Sequence, residues 1–107
     1  MSAKAEKKER SLEPVYHDDG SVTVPLEYPI EDITKEIIDE VKLTRPKAKQ
    51  MKKIGTNVTM ENLMMIASDV SGIHPKDMDK LDAADLMAVT GVIADFLERG
   101  RKTGQAQ

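Results

Sequence analysis

Residues Val22 to Ile30 read VTVPLEYPI, and this run decides the fold class. Val22, Val24, Leu26, Tyr28 and Ile30 recur at every second position, the period of a strand with one buried face. Each proline inside a strand removes one ladder donor. Pro25 and Pro29 share parity, so both missing N–H groups lie on the same side, and the run fits an edge strand with a blunted outer rim. Its expected mate is EIIDEVKL, Glu36 to Leu43, in which Ile37, Val41 and Leu43 share a face. The polar EDITKE run turns the chain between them, without a glycine to announce the loop type.

Beyond this hairpin the punctuation is helical. Arg45-Pro46 stops the strand, and Pro46 suits the first helical position, so Lys47 to Ile54 forms a short helix closed by Gly55. Thr59 caps MENLMMIASDVS, with Glu61 in the first turn, and Gly72 ends that helix. Pro75 opens a short turn. Asp82 caps a last helix, Ala83 to Arg99, stopped by Gly100. Leu86, Val89, Ile93, Phe96 and Leu97 fall on one stripe of it. The expected class is α+β: an N-terminal β-hairpin followed by three to four short helices, with flexible charged termini.

The chain has 107 residues, a formal charge of −3 and no cysteine. Residues 1–14 are charge-rich and nearly free of large apolar side chains, so a disordered tail is expected there, and another at 100–107. Residues 15–99 form one small domain with a single Phe and two Tyr. A core of that size contributes on the order of 3–5 kcal/mol, which favours completion by a partner. The absence of cysteine excludes disulfides, thiolate catalysis and cysteine zinc cages. No apolar run reaches the ~20 residues of a membrane span, and the charged N-terminus lacks a signal-like apolar stretch, so a cytoplasmic protein is expected.

Few residues point to chemistry. Asp77, Asp79, Asp82 and Asp85 cluster, but counting from Asp77 puts Asp82 where a calcium loop needs Gly and Ala88 where it needs Glu. Helix caps and a solvated face account for them. His17 and His74 stand apart, with no third ligand at a fixed spacing and no nucleophile motif. No enzyme, metal site or cofactor is expected. A metal-dependent enzyme rests only on His17 and the aspartates.

Two features point instead to a partner. Val41 to Gly55 carries Lys42, Arg45, Lys47, Lys49, Lys52 and Lys53 and no acid. A phosphate-binding surface, a solvated face and a contact for an acidic protein all fit that pattern, though no aromatic or glycine-rich loop accompanies it. Met51, Met60, Met64, Met65, Met78 and Met87 populate the helical half, and LMMIA, Leu63 to Ala67, is apolar right round the helix. Such a helix is either buried on both sides or meets another molecule, and Met is the side chain that adapts to irregular partners. Leu63 and Ile66 are expected in the core. Met60, Met64 and Met65, with Arg45, Lys49 and Lys52, are the expected partner-binding residues.

The order of these segments resembles the tail assembly chaperones of tailed phages, of the Mu-like prophage type. Leu26, Pro29 and Ile30 match the family's first strand. Ile38, Val41, Leu43, Arg45 and Pro46 match its strand-to-helix junction, and Leu81, Asp85, Val89, Phe96 and Leu97 its closing helix. The resemblance implies a non-enzymatic chaperone that binds the long helical tape measure protein and keeps it soluble during tail assembly. It implies action in the bacterial host cytoplasm, absence from the mature virion, and self-association or a frameshift-extended second form as further partners. The alternative is a small nucleic-acid-binding regulator using Lys42 to Lys53.

Overall fold

The computed structural model describes residues 12–55 and 58–105, with the backbone alone for Lys53 and 99–105. The expected tail over 1–14 lies mostly outside the described residues. The elements are β1 (Val15–Tyr16), β2 (Val22–Glu31), β3 (Ile37–Leu43), α1 (Ala48–Ile54), α2 (Met60–Ser71), α3 (Pro75–Met78) and α4 (Ala83–Gln105). The class is α+β. The strands form one antiparallel sheet in the order β1-β2-β3.

The expected hairpin therefore gains a strand. β1 pairs with Val22 and Thr23, so β2 is central at its start and an edge only beyond, where Pro25 and Pro29 fall. Both connections are three-residue loops of one kind. In the first, the His17 N–H donates to the Ser21 carbonyl at 2.9 Å and the Gly20 N–H to the His17 carbonyl at 3.0 Å. Gly20 takes the left-handed position at φ +92°. In the second, Asp32, Lys35 and Glu36 repeat both bonds at 2.9 Å, with Lys35 at φ 71° where a glycine would cost less. The Asp32 carboxylate offsets that strain by accepting from Thr34 N–H, Thr34 hydroxyl and Glu36 N–H at 2.8, 2.6 and 3.0 Å.

The alternation of β2 breaks midway. Val22 faces Leu43 and Val24 faces Val41, but Ile30 faces Ile38, so the register shifts between Pro25 and Ile30. Residues opposite each other share a face, so the shift changes which isoleucine of β3 points inward. Ile38 packs against the core, whereas Ile37, expected there, is 67% exposed. Tyr28 is likewise turned out, at 52%.

The displaced backbone is held from the helical layer. The Glu27 and Tyr28 N–H groups donate to the two carboxylate oxygens of Asp85 at 2.9 and 3.0 Å. Asp85 is buried in the first turn of α4, so one side chain satisfies two donors that the ladder has lost. A second tie lies at the hairpin's far end. Buried Asp77 accepts from the Ile33 N–H at 3.4 Å, and the Lys80 ammonium donates to the Glu31 carbonyl at 2.8 Å. Lys80 also forms an ion pair with the other Asp77 oxygen at 3.0 Å. Asp77 and Asp85 thus brace the sheet; of the four acids, Asp82 is the one whose side chain caps α4, through the Ala84 N–H at 3.0 Å.

The helices follow their punctuation with two exceptions. Thr59 accepts from the Asn62 N–H, Gly72 is left-handed, and His74 Nδ1 accepts from the Lys76 N–H ahead of Pro75. Pro46 lies outside α1, which starts at Ala48 with the Gln50 side chain accepting from the Lys47 N–H at 2.7 Å. Gly100 does not stop α4, which continues to Gln105. A glycine ends a helix only when it leaves the helical region, as Gly72 does. One core joins Val22, Val24, Leu26, Val41 and Leu43 of the sheet to Leu63, Ile66, Met78, Val89, Val92, Ile93 and Leu97 of the helices. Leu86 and Phe96 sit at its margin, half-buried.

Removing the Asp85 carboxylate strands two donors, each worth about 1–3 kcal/mol when left unsatisfied. Asp85→Ala is expected to cost about 2–4 kcal/mol in urea unfolding, and Asp82→Ala, a lost cap, about 1 kcal/mol. Equal costs would show that Asp85 acts only as a first-turn acid. Acid should act on the loops. The Ser21 hydroxyl and N–H hold the Asp19 carboxyl below its ordinary pKa, and the Thr34 hydroxyl and Glu36 N–H do the same for Asp32. A depressed folded-state pKa gives stability that is present above about pH 4 and lost as pH falls further. The melting temperature should fall below that pH in the parent, and less steeply in Asp19→Asn/Asp32→Asn.

Candidate partner-binding site

The orientation of α2 is set by what it buries. Leu63, Ile66 and Ala67 face the core, as expected for the first two, and this turns Met60, Met64 and Met65 to the helix's outer side and flanks. Met60 and Met65 are 42% and 36% exposed, while Met64 is half-buried against the core edge. The chain then reverses sharply. Gly72 closes α2, the Ser68 hydroxyl donates to the Ile73 carbonyl, and the Ser71 hydroxyl accepts from the Ile73 N–H at 3.1 Å. His74 and Pro75 start α3 immediately, so α3 lies beside the α2 methionines.

The result is a groove of about 760 Å³. Met60, Glu61, Asn62, Met64 and Met65 line it from α2, and Pro75 and Asp79 from the α3 side, with the buried Met78 beneath. Thioethers give this surface dispersion contacts with no fixed shape, which suits an apolar ridge of variable sequence. It holds no nucleophile–base pair. The sequence pattern identified the α2 methionines; Pro75, Met78 and Asp79 were missed on the α3 side, although Met78 belongs to the same methionine series.

The basic residues lie elsewhere. The Arg45 stem crosses Gly20, where an added Cβ would come within 2.8 Å of the Arg45 Cδ. The guanidinium then sits 5.9 Å above the centre of the Phe96 ring, a cation–π contact. Arg45, Pro46, Lys47, Ala48, Met51, Phe96 and Leu97 line a cavity of about 310 Å³. Lys49 lines a smaller, polar depression next to it, shared with Thr44 and Asp69. Lys52 is exposed on α1 and lines neither. Of the six residues singled out from sequence, the three methionines share one groove, Arg45 and Lys49 lie around a second, and Lys52 lies in neither.

Other candidates for chemistry resolve into structure. His17 Nε2 and the Thr23 hydroxyl lie 2.8 Å apart, and His74 is a helix cap. Among the described residues, no three His, Cys, Asp or Glu side chains are placed to hold a metal ion, and no helix is long and apolar enough to cross a membrane.

Among the described residues, the α+β scaffold presents an apolar groove and a basic-rimmed cavity, the kind of surface that binding proteins carry. The family model described as phage tail assembly chaperone proteins, E, or 41 or 14, matches residues 23–98, from β2 through most of α4. The chain belongs to that family, which is one of chaperones and not of enzymes. No curated protein and no solved structure matches it.

Gly20 is the residue that lets Arg45 reach Phe96. Gly20→Ala places a Cβ at a left-handed position and against the Arg45 stem, and is expected to cost about 1–2 kcal/mol in urea unfolding. A variant as stable as the parent would show that the loop relaxes freely.

Proposed function

We propose that this protein binds the helical tape measure polypeptide during phage tail assembly and keeps it soluble until the tail tube encloses it. The observation that carries the reading is the methionine groove between α2 and α3, in a member of a tail assembly chaperone family. A long helical client presents apolar ridges at i, i+3, i+4 and i+7, and a helix in a groove buries such a ridge. The methionines accommodate successive ridges that differ in sequence, which a shape-matched pocket would not. On this reading the protein works in the host cytoplasm and leaves before the particle is complete. The alternative, a nucleic-acid regulator, gains no support: Lys42 lies in the sheet, apart from the lysines at and on α1, and Asp69 shares the depression of Lys47 and Lys49.

Met60→Lys/Met65→Lys places two charges in the groove at positions already exposed by a third or more, so the fold is expected to survive. Co-expression with the tape measure polypeptide of the same phage should leave the client soluble with the parent and in the pellet with the variant. Circular dichroism should show unchanged helicity. A client that stays soluble with a folded variant would remove the groove from the mechanism.

A further inference from the structure

The charges of this chain are segregated in a way the client-binding groove does not use. Residues 31–40 hold five acids, Glu31, Asp32, Glu36, Asp39 and Glu40, against the single base Lys35, while residues 41–55 hold six bases and no acid. The hairpin separates their apolar centres. Leu43 pairs with Val22 at one end of β2, and Arg45 follows two residues later, against Gly20. The Asp32–Glu36 turn lies at the other end of a ten-residue strand, roughly 30 Å away.

Each end has an apolar surface to cover. At the turn, Ile33 and Ile37 are 61% and 67% exposed, flanked by the acids Glu31, Asp32 and Glu36, which outnumber the two bases there, Lys35 in the turn and Lys80 on the Glu31 carbonyl. At the opposite end the cavity floored by Pro46, Met51 and Phe96 is rimmed by Arg45 and Lys47, with Lys52 exposed on the same helix. The first is an apolar tip with an acidic collar. The second is an apolar cavity with a basic rim.

We propose that a second copy of this chain docks here, inserting its acidic Ile33–Ile37 tip into the Arg45–Met51–Phe96 cavity of the first. The two patches complement each other in charge and lie too far apart to meet within one chain. The contact is therefore between two different surfaces, and the rotation it imposes decides whether the copies close as a two-fold pair or a ring or run on as a row. Charge steers the approach and gives the association a strong salt dependence, and the isoleucines supply the burial. This surface is separate from the methionine groove, so it stands or falls independently of the client.

Sedimentation equilibrium of the full chain tests this, at about 50 mM and about 500 mM salt. The parent is expected to gain mass with concentration at low salt and to return toward monomer at high salt. Lys47→Glu/Lys52→Glu and Glu31→Lys/Glu36→Lys should each weaken association by at least roughly tenfold. An equimolar mixture of these two variants should restore it, because each then meets a complementary surface. The uncharged Ile33→Ser/Ile37→Ser variant should weaken it without changing the charge pattern. A parent that stays monomeric at low salt overturns the proposal, as does a mixture of two folded variants that fails to recover. Loss of client solubility in Lys47→Glu/Lys52→Glu with self-association unchanged would assign the cavity to an acidic client segment and also overturn it.

Discussion

The contact on which most else depends is the one between the Asp85 carboxylate and the backbone of the β2 bulge. Four residues of β2, Leu26 to Pro29, stand opposite one residue of β3, so two N–H groups between the prolines lose their ladder partners. Burying them unpaired would cost several kcal/mol, a large fraction of what a domain this small holds in reserve. Asp85 accepts from both, and it does so from the first turn of α4, where the helix dipole also favours a carboxylate. One side chain thereby ends the irregularity of the sheet and fixes where the longest helix starts.

The groove inherits its shape from that attachment. With α4 fixed on β2, and Asp77 and Lys80 tied to the hairpin turn, α3 has little freedom between them. The opposite side of the groove is set by Leu63, Ile66 and Ala67 in the core. Its position is thus rigid while its methionine lining is pliable. That division suits a protein that holds many similar ridges without reading a sequence.

Much of this was legible in the chain. Alternation placed β2, caps placed the helices, and five adjacent apolar residues marked the side of α2 that faces outward. What escaped detection has physical reasons. β1 is two residues long, and no periodicity can be read from two residues; its signal was the Asp-Gly of the HDDGS turn. The outward turn of Tyr28 and Ile37 follows from a bulge, which local alternation cannot register. Asp85 carries no sequence mark that distinguishes a bracing carboxylate from a first-turn acid, because its partners are backbone groups 57 and 58 residues away. The second groove was visible only as scattered bases, since it needs Gly20 and Arg45 from two loops brought together with Phe96 of α4.

The segment matched by the tail assembly chaperone family spans both the bulge and its carboxylate. The most direct test of this account is amide hydrogen exchange, read residue by residue by NMR, at Glu27 and Tyr28. If Asp85 holds the bulge, both amides exchange only when the domain unfolds, at the rate of core amides such as Val24 or Val41. Exchange at the rate of an open surface loop would show that the carboxylate does not hold the strand, and the coupling of sheet to groove would fail with it.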